Sequence, residues 1–129
     1  MHVIHSKDFF HDGRGPELIA VHLAKNSSRL LAIDFSNPDA RQPMHLKFVG
    51  AQSHMFTPEE VENYATPYTD WDKTGGGALV SLGRSTWLRS LSPSPLEECE
   101  HFRAMFYDEF LDVICEAIVV GSGAYERGL

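Results

Sequence analysis

The stretch HFRAMFYDEFLDVICEAIVV, residues 101–120, admits two readings, and the choice between them decides the fold. As a helix it follows a capping sequence, Ser94-Pro95-Leu96-Glu97, and sets Phe102, Phe106, Phe110, Val113 and Ala117 on one stripe. As a hairpin it uses the β-branched tail VICEAIVV, whose side chains pack well on a pleated surface. Folding the segment at Glu109-Phe110 pairs Tyr107 with Asp112, Phe106 with Val113, Ala104 with Cys115, Arg103 with Glu116 and Phe102 with Ala117. One face then becomes wholly apolar and the other gains an opposite-charge pair. Glu-Phe suits a tight turn poorly, so the connection expected is a four-residue loop, Asp108 to Leu111. We read a hairpin, preceded by a short helix at Pro95 to Glu100. Its polar face carries His101, Arg103, Tyr107, Asp112 and Glu116.

Outward from this hairpin, the segments between turn-forming clusters also read as strands. ELIAVHLA and SRLLAIDF are short, apolar and separated by KNSS, which predicts a second hairpin. In MHLKF, Met44, Leu46 and Phe48 alternate with His45 and Lys47, the period of a half-buried strand. Gly50 permits a bulge, after which AQSHMF continues that strand or forms its partner. Thr57, Pro58 and Glu60 supply an N-cap, a first-turn proline and a capping-box carboxylate, predicting a short helix from Pro58 to Tyr64. ATPYTDWDKTGGG is a turn-rich loop. A strand follows up to Leu82, and Ser85 to Leu91 stays open between strand and helical turn.

The fold class implied is α+β: mainly antiparallel sheet, as a sandwich or a strongly curved sheet, with one or two short helices. Its 129 residues suit a single domain spanning 1–129, large enough to bury a core without covalent staples. Hydrophobic residues at 43% and charged residues at 22% are globular proportions. Eighteen acidic against eleven basic residues give a formal charge of −7, which opposes approach to nucleic acid or anionic lipid and favours a basic protein as partner. No run is long and apolar enough for a membrane helix. Two cysteines without zinc or redox spacing, and an N-terminus unlike a signal peptide, imply a cytoplasmic setting.

Catalytic signatures are sparse. Gly77 to Ser85 lacks the spacing and the lysine of a phosphate-binding loop. Ser85 lacks the second glycine of a nucleophile elbow, and nothing nearby in sequence nominates its base. The seven histidines follow no metal-ligand motif, so neither metal nor cofactor is expected. Cys115 reads as a small buried hydrophobe, and Glu98 and Glu100 beside Cys99 oppose thiolate formation there. Trp87 reads either as an interface residue or, beside Leu88 and Leu91, as a core anchor. In the long loop, Trp71, Tyr64 and Tyr68 beside Asp70 and Asp72 combine aromatic anchors with an acidic rim, the composition of a protein-binding surface.

The Ser-x-Trp-Leu of STWLRSL followed by HFRAMFYDEFLDVICEAIVV resembles the C-terminal half of small uncharacterised bacterial β-rich proteins, some encoded like toxin-immunity proteins. In these a His-aromatic-Arg strand, an Asp turn and a Glu-containing apolar strand form a closing hairpin. HLKFVGAQSHMFTPEE is similar to their middle strand running into a short helix. The resemblance covers about half the chain and consists of packing motifs. It implies a β-rich fold and a non-enzymatic, immunity-type inhibitor acting through protein–protein contacts. Two other readings stand beside it. One is a small enzyme or metal- or ligand-binding protein built on the polar hairpin face, and the other is a homo-oligomer joined through edge strands.

Overall fold

Alternating apolar residues commit most of the chain to strands, and nearly every strand hides one face. The computed structural model describes residues 2–3, 16–24, 29–36, 43–58, 79–91, 97–106 and 109–126. These form strands β1 (His2–Val3), β2 (Glu17–Ala24), β3 (Leu30–Ser36), β4 (Pro43–Val49), β5 (Ser53–Pro58), β6 (Leu79–Ser81), β7 (Glu100–Met105), β8 (Glu109–Cys115) and β9 (Ala117–Ser122), with one short helix, α1 (Thr86–Ser90), between β6 and β7. Two antiparallel sheets result. The first has strand order β1-β6-β7-β8-β5 and the second β2-β3-β4-β9.

The sheets face one another across a single apolar layer. Leu31, Ile33 and Phe35 of β3 and Leu46 and Phe48 of β4 meet Phe102, Ala104, Leu111, Val113 and Cys115 of β7 and β8. Each large side chain buried in this way contributes on the order of 1.5–3 kcal/mol relative to exposure. The alternation expected in MHLKF is present: Leu46 and Phe48 are fully buried, while Met44 packs at the margin of the layer. ELIAVHLA and LLAIDFS form the expected hairpin, β2 with β3, with a bulge between Leu18 and Ala20.

β1 and β2 belong to different sheets, and the chain changes sheet again after β4 and after β8; these last two passages occur at the same corner. After β4, Gly50 adopts φ +68°, a left-handed conformation that costs a glycine little, and the strand resumes as β5 in the other sheet. After β8, Glu116 interrupts the apolar run and β9 resumes beside β4. The two passages are laced together. Glu116 N–H donates to the Val49 carbonyl at 2.9 Å and Gln52 N–H to the Ile114 carbonyl at 2.8 Å, while the Glu116 side chain lies over the hydrogen face of Gly50. The expectation that AQSHMF continues β4 or pairs with it is therefore corrected: β5 pairs with β8.

Residues 101–120 are not a helix, but the hairpin differs in register from the one expected. Phe102 lies opposite Val113, Ala104 opposite Leu111, and Arg103 opposite Asp112 rather than Glu116. The partner of Arg103 thus moves four positions, from 116 to 112. An even shift leaves Phe102, Ala104, Val113 and Cys115 on the apolar face and Arg103 and Asp112 on the other. Ala117, expected opposite Phe102 on the apolar face, is instead exposed in the second sheet opposite Val49. The cause of the shift is the turn: Phe106 N–H donates to the Glu109 carbonyl at 2.8 Å, closing the hairpin before Glu109-Phe110 instead of at it. This keeps Leu111 in a strand and fully buried, where the expected loop would have spent it.

The helix expected from Pro58 is corrected at its start, since Thr57 and Pro58 are strand residues opposite Phe110 and Glu109. The remainder of that segment lies outside the described residues. Within Pro95 to Glu100, Glu97 and Glu98 form a turn and Glu100 opens β7, so no helix covers them. The open segment after Ser85 resolves as α1.

Candidate functional site

The outer face of the first sheet brings together three of the residues singled out in sequence. His101 and Arg103 alternate with Phe102 along β7, so they point away from the apolar layer, and Asp112 faces the same way from β8. His101 Nε2 lies 2.6 Å from Asp112 Oδ1, and Arg103 Nε donates to the same oxygen at 2.8 Å. His101, Arg103 and Asp112 are all fully buried. The Arg103–Glu116 pair is thereby replaced by an Arg103–Asp112 pair, and Glu116 is exposed at the corner between the sheets. Tyr107 lies outside the described residues, as do Tyr64, Tyr68, Asp70, Trp71 and Asp72.

A fourth member, Ser85, was not expected. Its Oγ lies 2.7 Å from His101 Nδ1 and accepts the Leu88 N–H at 3.2 Å, capping α1. With the imidazole proton on Nε2, each contact is satisfied: Nε2–H donates to Asp112, and Nδ1 accepts the Ser85 hydroxyl hydrogen. The same hydroxyl offers a lone pair to the helix. α1 is held further by Leu88, which packs with Cys99 and Ile114, and by Trp87, whose ring meets the His101 ring edge-on at 5.1 Å. Of the two readings of Trp87, its half-buried ring packed on His101 and the Leu88 cluster fits the packing one.

Hydroxyl, imidazole and carboxylate in this order form the chain of a nucleophilic relay. Two features work against that chemistry. Ser85 is only 3% exposed, leaving its oxygen without an approach for a substrate carbonyl. One of its two lone pairs is also engaged by the Leu88 N–H, which makes the oxygen a weaker nucleophile. A buried polar network of this kind fixes one arrangement of the elements that contribute to it. It joins β7, β8 and α1.

The outer face of the second sheet holds another cluster, drawn from residues the sequence showed only as scattered histidines. His22 Nε2 lies 2.8 Å from Asp34 Oδ2, and Tyr125 N–H donates to Asp34 Oδ1 at 2.7 Å. The Tyr125 ring sits 5.3 Å from that of His22 and 6.1 Å from that of His45. His45 Nδ1 contacts the Gly123 carbonyl at 2.9 Å, and its ring occupies the space a side chain at Gly121 would fill. The segment after β9 is thereby strapped across the sheet. No group of three or more His, Cys, Asp or Glu among the described residues is arranged to hold a metal ion.

Both cysteines are free and buried. Burial, followed by the nearby Cys99, pushes the Cys115 thiol far above its ordinary value of 9.0. Cys99 is also raised, by burial first and then by Glu116, with Glu98 adding to it and Arg84 opposing. Neither is poised as a nucleophile.

The described residues define a mostly antiparallel β protein, with two sheets and one short helix among them and a buried polar network. Comparison with known protein families, curated proteins and solved structures finds no match. No helix among the described residues is long and apolar enough to cross a membrane.

Proposed function

We propose that this chain is a non-catalytic binding protein that works by contact with another protein, and that β2 forms the contact edge. The observation that carries this reading is the exposed side of that strand. Ile19, Val21 and Leu23 are 56%, 45% and 46% exposed, although the face they occupy belongs to a strand in a folded sheet. β2 ends its sheet, and its outward N–H and C=O groups have no strand beside them among the described residues. Such an edge accepts an extended partner through main-chain hydrogen bonds, with alternate side chains adding apolar contact. An immunity-type inhibitor is the specific form of this function suggested by the resemblance and the acidic balance, because a charge of −7 accelerates encounter with a basic protein and opposes encounter with nucleic acid.

The test is a comparative pull-down using the wild type and Val21→Lys, with folding of both verified by circular dichroism. A protein retained by the wild type and lost from the variant supports the reading. Retention of nucleic acid, or identical retention by the two chains, overturns it.

A second reading rests on the Ser85–His101–Asp112 chain: hydrolysis with Ser85 as nucleophile. A fluorophosphonate probe decides it. The burial of Ser85 predicts no labelling of the folded protein, and labelling at Ser85 abolished by His101→Gln would establish the hydrolase instead.

A further inference from the structure

We propose that β2 pairs antiparallel with β2 of a second copy about a two-fold axis at Val21, joining two four-stranded sheets into one of eight. This makes the occupant of the edge assigned above a second copy of the chain instead of a basic foreign protein, and it rests on that edge being a binding surface.

The first argument is exposure on the wrong side of a sheet. Val21 and Leu23 lie opposite Ile33 and Leu31, two fully buried residues of the apolar layer, so they face the interior side of their sheet. They are nevertheless about half exposed, because β2 overhangs the opposing sheet. The corner stitched by Gly50 and Glu116 closes the sandwich beside β4, β5, β8 and β9, and β2 lies at the far edge of its sheet from β9. The bulge between Leu18 and Ala20 sets Leu18 opposite Phe35, against the apolar layer, and leaves Ile19 as the extra residue, exposed beside Val21 and Leu23 along the strand.

The second argument is complementarity. With the axis at Val21, Ile19 meets Leu23 of the other copy, Val21 meets its equivalent, and Leu23 meets Ile19. Three apolar pairs replace three exposed patches. On the opposite face Ala20 meets His22, so no pair of charged side chains interrupts the ladder. The strand is therefore its own complement, as an isologous contact requires.

The third argument concerns charge. Two copies at −7 repel, but the strand carries a single carboxylate, Glu17, at its first position. In the antiparallel arrangement the two Glu17 residues lie at opposite ends of the interface. β2 also lacks the lysine or proline that commonly blocks an edge strand. Two eight-residue strands form a contact at the small end of stable interfaces, so the dimer depends on protein concentration.

Sedimentation velocity on the whole chain over a concentration series, combined with cysteine cross-linking, tests this. The expected result is a monomer–dimer equilibrium whose upper limit is twice the monomer mass. Val21→Lys sets two like charges together on the axis and is expected to remain monomeric over the same series. Val21→Cys is expected to form an intermolecular disulfide under mild oxidation, whereas Val119→Cys, equally exposed on β9, does not; Cys99 and Cys115 are buried and supply no competing thiol. If Val21→Lys fails to fold, the cysteine pair still decides. A wild type that stays monomeric, or equal cross-linking from positions 21 and 119, overturns the dimer. Should the wild type be monomeric yet retain a foreign protein that Val21→Lys loses, the second copy is refuted and the binding edge survives. If neither association occurs, both fail.

Discussion

The two sheets each carry a histidine bonded to an aspartate on their outer faces, at nearly equal distances, yet the pairs have different weight. His101–Asp112 is wholly buried, shares its carboxylate oxygen with Arg103 and is backed by Ser85. In His22–Asp34 the carboxylate is nearly buried, but the imidazole is 39% exposed. Water can replace the second histidine at little cost, whereas nothing can replace the first. The same pair of residue types therefore organises the architecture on one face and tethers a surface segment on the other.

The largest effect expected is from Asp112→Ala, which leaves the Arg103 guanidinium buried without that carboxylate and removes the partner of His101 Nε2. Breaking a buried ion pair from one side costs about 3–5 kcal/mol. Urea denaturation should show this loss or a failure to fold, and a cost below about 1 kcal/mol would erase the difference between the two faces. Ser85→Ala is next. It removes the cap of α1 and the donor to His101 Nδ1, for about 1–2 kcal/mol. The same measurement checks it, and an unchanged midpoint would mean that α1 is held by Leu88 and Trp87 alone.

Alkaline titration sharpens the comparison through the buried Cys115 beneath the first sheet. Its folded pKa is raised, so above pH 9 the unfolded thiol ionises while the folded one keeps its proton. The unfolded state is then favoured, and stability falls as pH rises through that range. One such group contributes a slope of about 1.4 kcal/mol per pH unit. Cys115→Ala should flatten that part of the curve, after allowance for its smaller volume. The least effect is expected from His22→Ala, below about 1 kcal/mol in the same denaturation assay, since its ring is partly solvated.

The faces of the 101–120 hairpin were legible because a period of two survives any even error in register. Phe102, Ala104 and Phe106 could be assigned inward beside Val113 and Cys115 without knowledge of their partners. The register itself depended on the turn, and a charged, aromatic sequence around it held no Asn-Gly or Asp-Gly to mark the place. Glu116 misled for a related reason. A lone carboxylate in an apolar run looks like a cross-strand partner, whereas here it marks the point at which the chain leaves one sheet for the other. Ser85 was missed because its partner is distant in sequence. The available signal was indirect: three polar residues at inward-neighbouring strand positions, His101, Arg103 and Asp112, require a cover, and a serine ahead of Thr86-Trp87-Leu88 can cap one. The strip on β2 was read simply as a strand, since exposure depends on how far the opposite sheet extends.

The pairing of β4 with β9 also governs the order in which this molecule can assemble. Leu46 lies beside Val120, and Met44 beside Ser122, so this ladder joins regions separated by most of the described chain. During synthesis β2, β3 and β4 can associate early through local turns, but the free side of β4 must wait for β9 to emerge. Contacts of such separation slow folding toward the millisecond-to-second range common for two-sheet proteins. Throughout that interval β4 presents an unpaired edge to the surrounding medium, and the growing chain is most open to capture by another unfinished copy.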